Sequence, residues 1–151
     1  MTGRRPIPVN VDLSTTQDPH HGERGIPAYA RDFALAFDRV ADLSAVEPLW
    51  VVDDAYPVPA ALAPLAEAGR LVPLSEVAAH RPPLFTHLMS PMYGPGGRLD
   101  TKRWLDAHPV PVAMTVYDLV PYLMPDDYLG ETSARARFHA SLEWVKHADL
   151  L

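Results

Sequence analysis

Residues 112–129 read Val-Ala-Met-Thr-Val-Tyr-Asp-Leu-Val-Pro-Tyr-Leu-Met-Pro-Asp-Asp-Tyr-Leu, and this stretch decides the fold class. A largely apolar run from Val110 to Val116 ends abruptly in Tyr117-Asp118, and a second apolar patch closes on the turn Pro125-Asp126-Asp127. An apolar run of that length between turn signals predicts a strand buried on both faces. In an open α/β sheet such a strand delivers the residues at its carboxyl end into the ligand crevice. Tyr117 and Asp118 stand at that end.

Outward from this strand, strand and helix patterns alternate. Ile7, Val9, Val11 and Leu13 alternate with Pro8, Asn10 and Asp12, which predicts a strand. A polar loop from Ser14 to Arg24 carries His20-His21-Gly22. Ile26, Tyr29, Ala30, Phe33, Ala34, Phe37, Val40 and Ala41 then recur at helical intervals, with Arg31, Asp32 and Asp38 off the stripe. Pro27 suits the first turn, where its missing N–H is not needed. Val46–Val52 is a second strand ending in Asp53-Asp54, and a short helix around Pro59–Ala68 stops at Gly69. Leu84–Met89 is a third strand running into the irregular loop Ser90–Gly97, and a short helix follows near Thr101–Ala107. After the fourth strand, a helix over Thr132–His147 puts Ala134, Phe138, Leu142 and Val145 on one face, with Thr132 or Ser133 as N-cap. Ala148-Asp149-Leu150-Leu151 reads as the first residues of a fifth strand, cut short. The alternation predicts one α/β domain over residues 1–151, a Rossmann-like parallel sheet with helices on both faces.

Composition narrows the function classes. The 151 residues allow one domain with a proper core. A formal net charge of -6, with 13 scattered basic residues, argues against a nucleic-acid surface. There are no cysteines, so disulfides and thiolate metal sites are excluded, and a reducing compartment fits. No segment approaches the roughly 18 consecutive apolar residues that span a bilayer, and the start lacks the apolar core of a signal peptide. A cytoplasmic protein without a transmembrane segment is expected.

Several residues carry candidate chemistry. Gly25-Ile26-Pro27-Ala28-Tyr29 opens the first helix, where a glycine permits close backbone approach and free N–H groups favour anionic or hydroxyl-rich ligands. It is not a Gly-x-Gly-x-x-Gly, so a dinucleotide site is not expected. His87 and Ser90 stand at the end of the third strand, within reach of substrate hydroxyls, although a histidine there also serves as a satisfied core residue. His20-His21 lacks a helical ligand partner and reads as solvated loop. The adjacent pairs Asp53-Asp54 and Asp126-Asp127 read as turn and capping residues rather than metal ligands. Asp118 can orient substrate, act as a base, or cap its loop. No Gly-x-Ser-x-Gly and no P-loop is present.

Taken in order, Val11-Asp12-Leu13, Gly25-Ile26-Pro27-Ala28-Tyr29-Ala30-Arg31, His87-Leu88-Met89-Ser90-Pro91, Thr115-Val116-Tyr117-Asp118-Leu119-Val120-Pro121 with Pro125-Asp126-Asp127-Tyr128-Leu129, and Ala134-Arg135-Ala136-Arg137-Phe138 leading to Ala148-Asp149-Leu150-Leu151 make a larger pattern. This pattern resembles the N-terminal domain of group 1 glycosyltransferases, the retaining, mannosyltransferase-like enzymes with two Rossmann-like halves (GT-B). The resemblance spans nearly the whole chain and is most specific from Thr115 through Leu129.

The resemblance implies an acceptor-binding half in polysaccharide biosynthesis, with the nucleotide-sugar donor held mainly by a second domain and no metal or other cofactor in this one. It implies Asp118 as the catalytic candidate, and Gly25, Ile26, Tyr29, His87, Ser90 and Tyr117 as substrate-binding candidates. The implied partners are a sugar acceptor and a C-terminal donor-binding domain or partner chain, and this half alone is expected to be inactive. Three positions, in two places, depart from the pattern. Pro27 and Ala28 stand where the family often has Gly and Arg, and Tyr117 stands where many members have His. From another class, a non-catalytic binding or scaffolding module derived from such a half is the alternative. A metal hydrolase using His20, His21 and His87 is a third reading.

Overall fold

The computed structural model describes residues 5–19, 25–41, 43, 45–79, 86–88, 99–117 and 120–150. Its centre is a parallel sheet of five strands: β1 (Ile7–Asp12), β2 (Val46–Val52), β3 (Leu71–Pro73), β4 (Thr86–Leu88) and β5 (Val112–Met114). Their spatial order is β3-β2-β1-β4-β5. From β1 the chain steps outward to β2 and β3, then returns to the other side of β1 for β4 and β5. Parallel strands joined by right-handed crossovers must place their connections on opposite faces when the direction of travel reverses.

The packing obeys that rule. Helix α1 (Gly25–Val40) and the short α2 (Ala63–Glu67) cover one face, where Ala30, Ala34, Leu62 and Leu65 pack on Val11, Leu13, Trp50 and Val52. The opposite face packs Leu49, Val51 and Val72 against Val77 and Trp104, the latter from α3 (Leu99–Ala107). Alternation along β2 thus sends Trp50 and Val52 one way and Leu49 and Val51 the other. Both faces of the sheet are covered, as a parallel sheet requires. Three further helices follow β5: α4 (Val120–Leu123), α5 (Pro125–Tyr128) and α6 (Thr132–Val145). An ion pair between Arg70 and Asp38 ties the approach to β3 to the last turns of α1.

Several expectations are corrected. β3 is a strand that periodicity did not reveal, because three residues ending in Pro73 carry no readable alternation. The fourth expected strand is shorter than its apolar run and is not buried on both faces: Met114 is buried, whereas Val112 and Ala113 are half-buried. As the outermost named strand, β5 has a neighbouring strand on only one side. On its other side Leu150 forms an isolated parallel bridge with Ala113, so the final segment stands in sixth rather than fifth place. The N-cap of α6 is Glu131, extended at φ −88° and ψ 135° with no side-chain cap hydrogen bond, rather than Thr132 or Ser133. The polar residues of β1 are buried with the rest of the strand, Asn10 and Asp12 being 1% and 3% exposed, because a central parallel strand has no solvent side.

Among the described residues, no helix is long and apolar enough to cross a membrane. The loop Ser90–Gly97, Leu84, Phe85 and Met89 of the expected third strand, and His20-His21-Gly22 lie outside the described residues.

Candidate functional site

The sheet order fixes where a ligand crevice belongs. Chain direction reverses between β1 and β4, and the carboxyl ends of strands at such a switch point diverge to leave an opening. Asp12 ends β1, His87 lies in the register of β4, and Thr115 to Tyr117 continue from β5. The first turn of α1 enters the same place from above, beginning at Gly25 and bringing Tyr29 four residues on.

An aromatic ladder along α1 positions this rim. Trp50, fully buried in β2, takes the edge of Phe37 at 5.8 Å between ring centres. Phe37 stacks on Phe33 at 5.7 Å, and Phe33 on Tyr29 at 6.3 Å, at the four-residue spacing that aligns side chains on one helix face. Tyr29 then meets Tyr117 edge-on at 5.1 Å. His87 stands edge-on to Phe33 at 6.3 Å, and its Nε2 lies 2.8 Å from the Thr115 hydroxyl oxygen. Core and rim are therefore one continuous packed array. Tyr29 is its open end, with 51% of its surface exposed.

Burial sets the protonation states. Desolvation lowers the His87 imidazole below its ordinary pKa of 6.5, with the Asp12 carboxylate opposing the shift, so the ring is neutral at pH 7. Burial, reinforced by Tyr29, pushes the Tyr117 phenol well above its usual range. Its hydroxyl is shielded from solvent and has no hydrogen-bond partner among the described residues. Tyr117 is thus a neutral hydrogen-bonding group and not a proton acceptor.

The lowered His87 value has a consequence for stability. The unfolded chain binds the proton more tightly than the folded one. The stability that neutral His87 allows is therefore fully present above pH 6.5, and it declines as pH falls below that value, until the folded-state pKa is passed. His87→Gln is expected to flatten this acid limb, checked by urea unfolding at closely spaced pH values from 7.5 down to 5. An unchanged limb in the variant would show that other groups cause it.

The structure sets Tyr29 against Tyr117 and links His87 to them through Phe33, with Gly25 and half-buried Ile26 one turn from Tyr29 on α1. Gly25 has φ +46°, and a Cβ there would meet nothing within 4 Å. Backbone conformation, not a crowding neighbour, is what demands glycine. Ser90 and Asp118 lie outside the described residues. Asp53 and Asp54 sit apart: Asp53 serves its own turn, accepting from the Ala55 N–H at 2.9 Å, and Asp54 accepts from the Ser75 N–H at 3.3 Å, at the start of the 3-10 segment after β3. Among the described residues no group of His, Asp or Glu could hold a metal ion. Sequence reasoning missed Thr115, whose role depends on pairing with another strand, and Phe33, which reads only as helix stripe.

Two cavities lie elsewhere. One of about 470 Å³ opens beyond β2 and β3 beside Asp54, Ser75 and Trp104. Another of about 390 Å³ lies between α3, β5 and the end of α6, beside Lys102, Asp106 and Trp144. Neither contains the residues gathered at the switch point. Comparison of the chain with protein-family models, with curated proteins and with solved structures gave no match.

Proposed function

We propose that the chain is the acceptor-side half of a retaining, sugar-nucleotide-dependent glycosyltransferase of the GT-B kind. The observation that carries this reading is the contact of Tyr29 with Tyr117 and, one turn along α1, of Phe33 with His87, at the β1–β4 switch point where β4 and β5 end. An exposed tyrosine ring and a neutral imidazole suit the apolar faces and hydroxyl edges of a sugar. The sequence pattern from Thr115 through Leu129 points the same way, and a cytoplasmic setting goes with this reading. The donor would be held mainly by a second domain, so this half alone is inactive. Asp118, directly after Tyr117, is the residue proposed to act on the acceptor hydroxyl.

The test is sugar transfer by the complete enzyme. Asp118→Ala, shown to be folded by circular dichroism, is expected to slow transfer by about 100-fold or more, the usual scale for a lost acid–base group. Transfer at the normal rate would remove Asp118 from the site. No transfer by the unaltered complete enzyme, over a panel of nucleotide sugars and acceptors, would remove the function.

One observation favours a non-catalytic docking module instead. Leu123 at the end of α4, Met124 between the helices and Tyr128 at the end of α5 are 73%, 49% and 57% exposed. That reading expects association in size-exclusion chromatography as concentration rises, and a compact monomer throughout would count against it.

A further inference from the structure

We infer that Thr115 is a positioning residue: its hydroxyl oxygen accepts the Nε2–H of His87, holding the imidazole in the tautomer whose Nδ1 lone pair faces the acceptor hydroxyl. The inference rests on the transferase reading for its ligand, but its geometry stands alone.

Parallel pairing of β4 with β5 sets His87 opposite Ala113. Side chains alternate along a strand, so Thr115, two residues on, returns to the face that His87 occupies. The contact between Nε2 and Oγ1 is 2.8 Å, a full hydrogen bond. Phe33 closes another side of the ring edge-on at 88°, which fixes the plane of the imidazole, and the bond to Thr115 selects which nitrogen lies toward β5. Two fixed neighbours from two elements therefore define one ring orientation.

Polarity selects the tautomer. A neutral imidazole carries one N–H and one lone pair. A threonine hydroxyl can satisfy either, but the two choices leave different groups behind. With the proton on Nδ1, a donor would be stranded in a half-buried site, since among the described residues His87 has no second hydrogen-bond partner. Orphaned N–H groups are rarer in proteins than under-satisfied acceptors. With the proton on Nε2, the donor is paired and only a lone pair is left. That lone pair is the complement of a sugar hydroxyl, which arrives with a donor to place.

The test is a long-range proton–nitrogen NMR correlation on the full chain labelled at histidine nitrogen, at pH 7.5, with His87 assigned from H87Q. The expected spectrum has His87 Nε2 at a protonated-nitrogen shift and Nδ1 at an unprotonated one. Thr115→Ser keeps that pattern, and Thr115→Val, which preserves shape but cannot accept, moves both shifts toward an average of the two tautomers. A ring protonated on Nδ1 in the unaltered chain overturns the inference, and so does a T115V spectrum identical to the parent. If T115V does not fold, the parent and T115S spectra still decide. In the complete enzyme, T115V is expected to lower kcat by about tenfold, the scale of one hydrogen bond, with T115S near normal. Normal kcat in T115V would overturn the link to the acceptor and leave the transferase reading intact. Absent transfer in the unaltered enzyme would instead sink that reading and leave the tautomer result standing.

Discussion

Gln17→Ala is expected to lower stability by about 3 kcal/mol, through loss of paired buried groups and not of hydrophobic area. Gln17 is 4% exposed and lies in the single 3-10 turn that follows β1, Ser14–Gln17. Its amide nitrogen donates to the carbonyl oxygens of Asp53 at 2.9 Å and Tyr56 at 3.0 Å, and its carbonyl oxygen accepts from the Asp53 N–H at 2.8 Å. These bonds satisfy the backbone where β2 ends and its ladder stops. They also hold the loop after β2 against the turn after β1, which is one wall of the switch-point crevice. Alanine takes the Gln17 partner from the Asp53 N–H and the Tyr56 carbonyl, while the Asp53 carbonyl still accepts from the Tyr56 N–H at 3.2 Å, and each stranded buried group costs about 1–3 kcal/mol. For a chain of this length, about 3 kcal/mol corresponds to a fall in Tm of roughly 10 °C. Gln17→Met separates the causes, because it keeps the volume and loses every hydrogen bond. It should resemble Q17A. Thermal and urea unfolding check both variants, and a Q17A value within about 0.5 kcal/mol of the parent, the range of an ordinary surface change, would show that the clamp carries no weight.

How much of this was legible in the sequence depends on the distance over which each feature is determined. α1, β2 and α6 were readable because their signals are local: a helical stripe from Ile26 to Ala41, the segment Val46–Val52 closing on Asp53-Asp54, and the face through Ala134 and Phe138. The structure gives Gly25–Val40, Val46–Val52 and Thr132–Val145 for these. β3 was not readable, because three residues cannot show a period. At the site, Tyr29, His87 and Tyr117 could be nominated from their places at element ends. Their partners could not. Thr115 looks like one polar residue in an apolar run until β5 is set beside β4, and Gln17 looks like loop until β1 is set beside β2. Sheet order is the missing information, and it is a property of distant segments. The burial of Asn10 shows the same limit, since nothing local in the β1 sequence says which element covers that side of the strand.

Trp50→Ala is expected to have the largest effect of any single substitution in the core, about 3–5 kcal/mol, checked by the shift in urea midpoint. Trp50 is the largest fully buried side chain and lies at the foot of the ladder through Phe37, Phe33 and Tyr29. Its indole N–H is buried with no hydrogen-bond partner among the described residues, so the residue sits there for volume and at some polar expense. That makes a sharp contrast with Trp50→Phe. Phenylalanine leaves a smaller void and removes the stranded donor, whose burial costs about 1–3 kcal/mol, so the two effects oppose each other. W50F should therefore lose about 1 kcal/mol or less, well short of W50A. If W50F were instead nearly as damaging as W50A, the indole N–H would have to be bonded in solution. The consequence would reach the site, because the seat of Phe37 on ring 50 sets the height of α1, and with it the meeting of Tyr29 and Tyr117 at the rim.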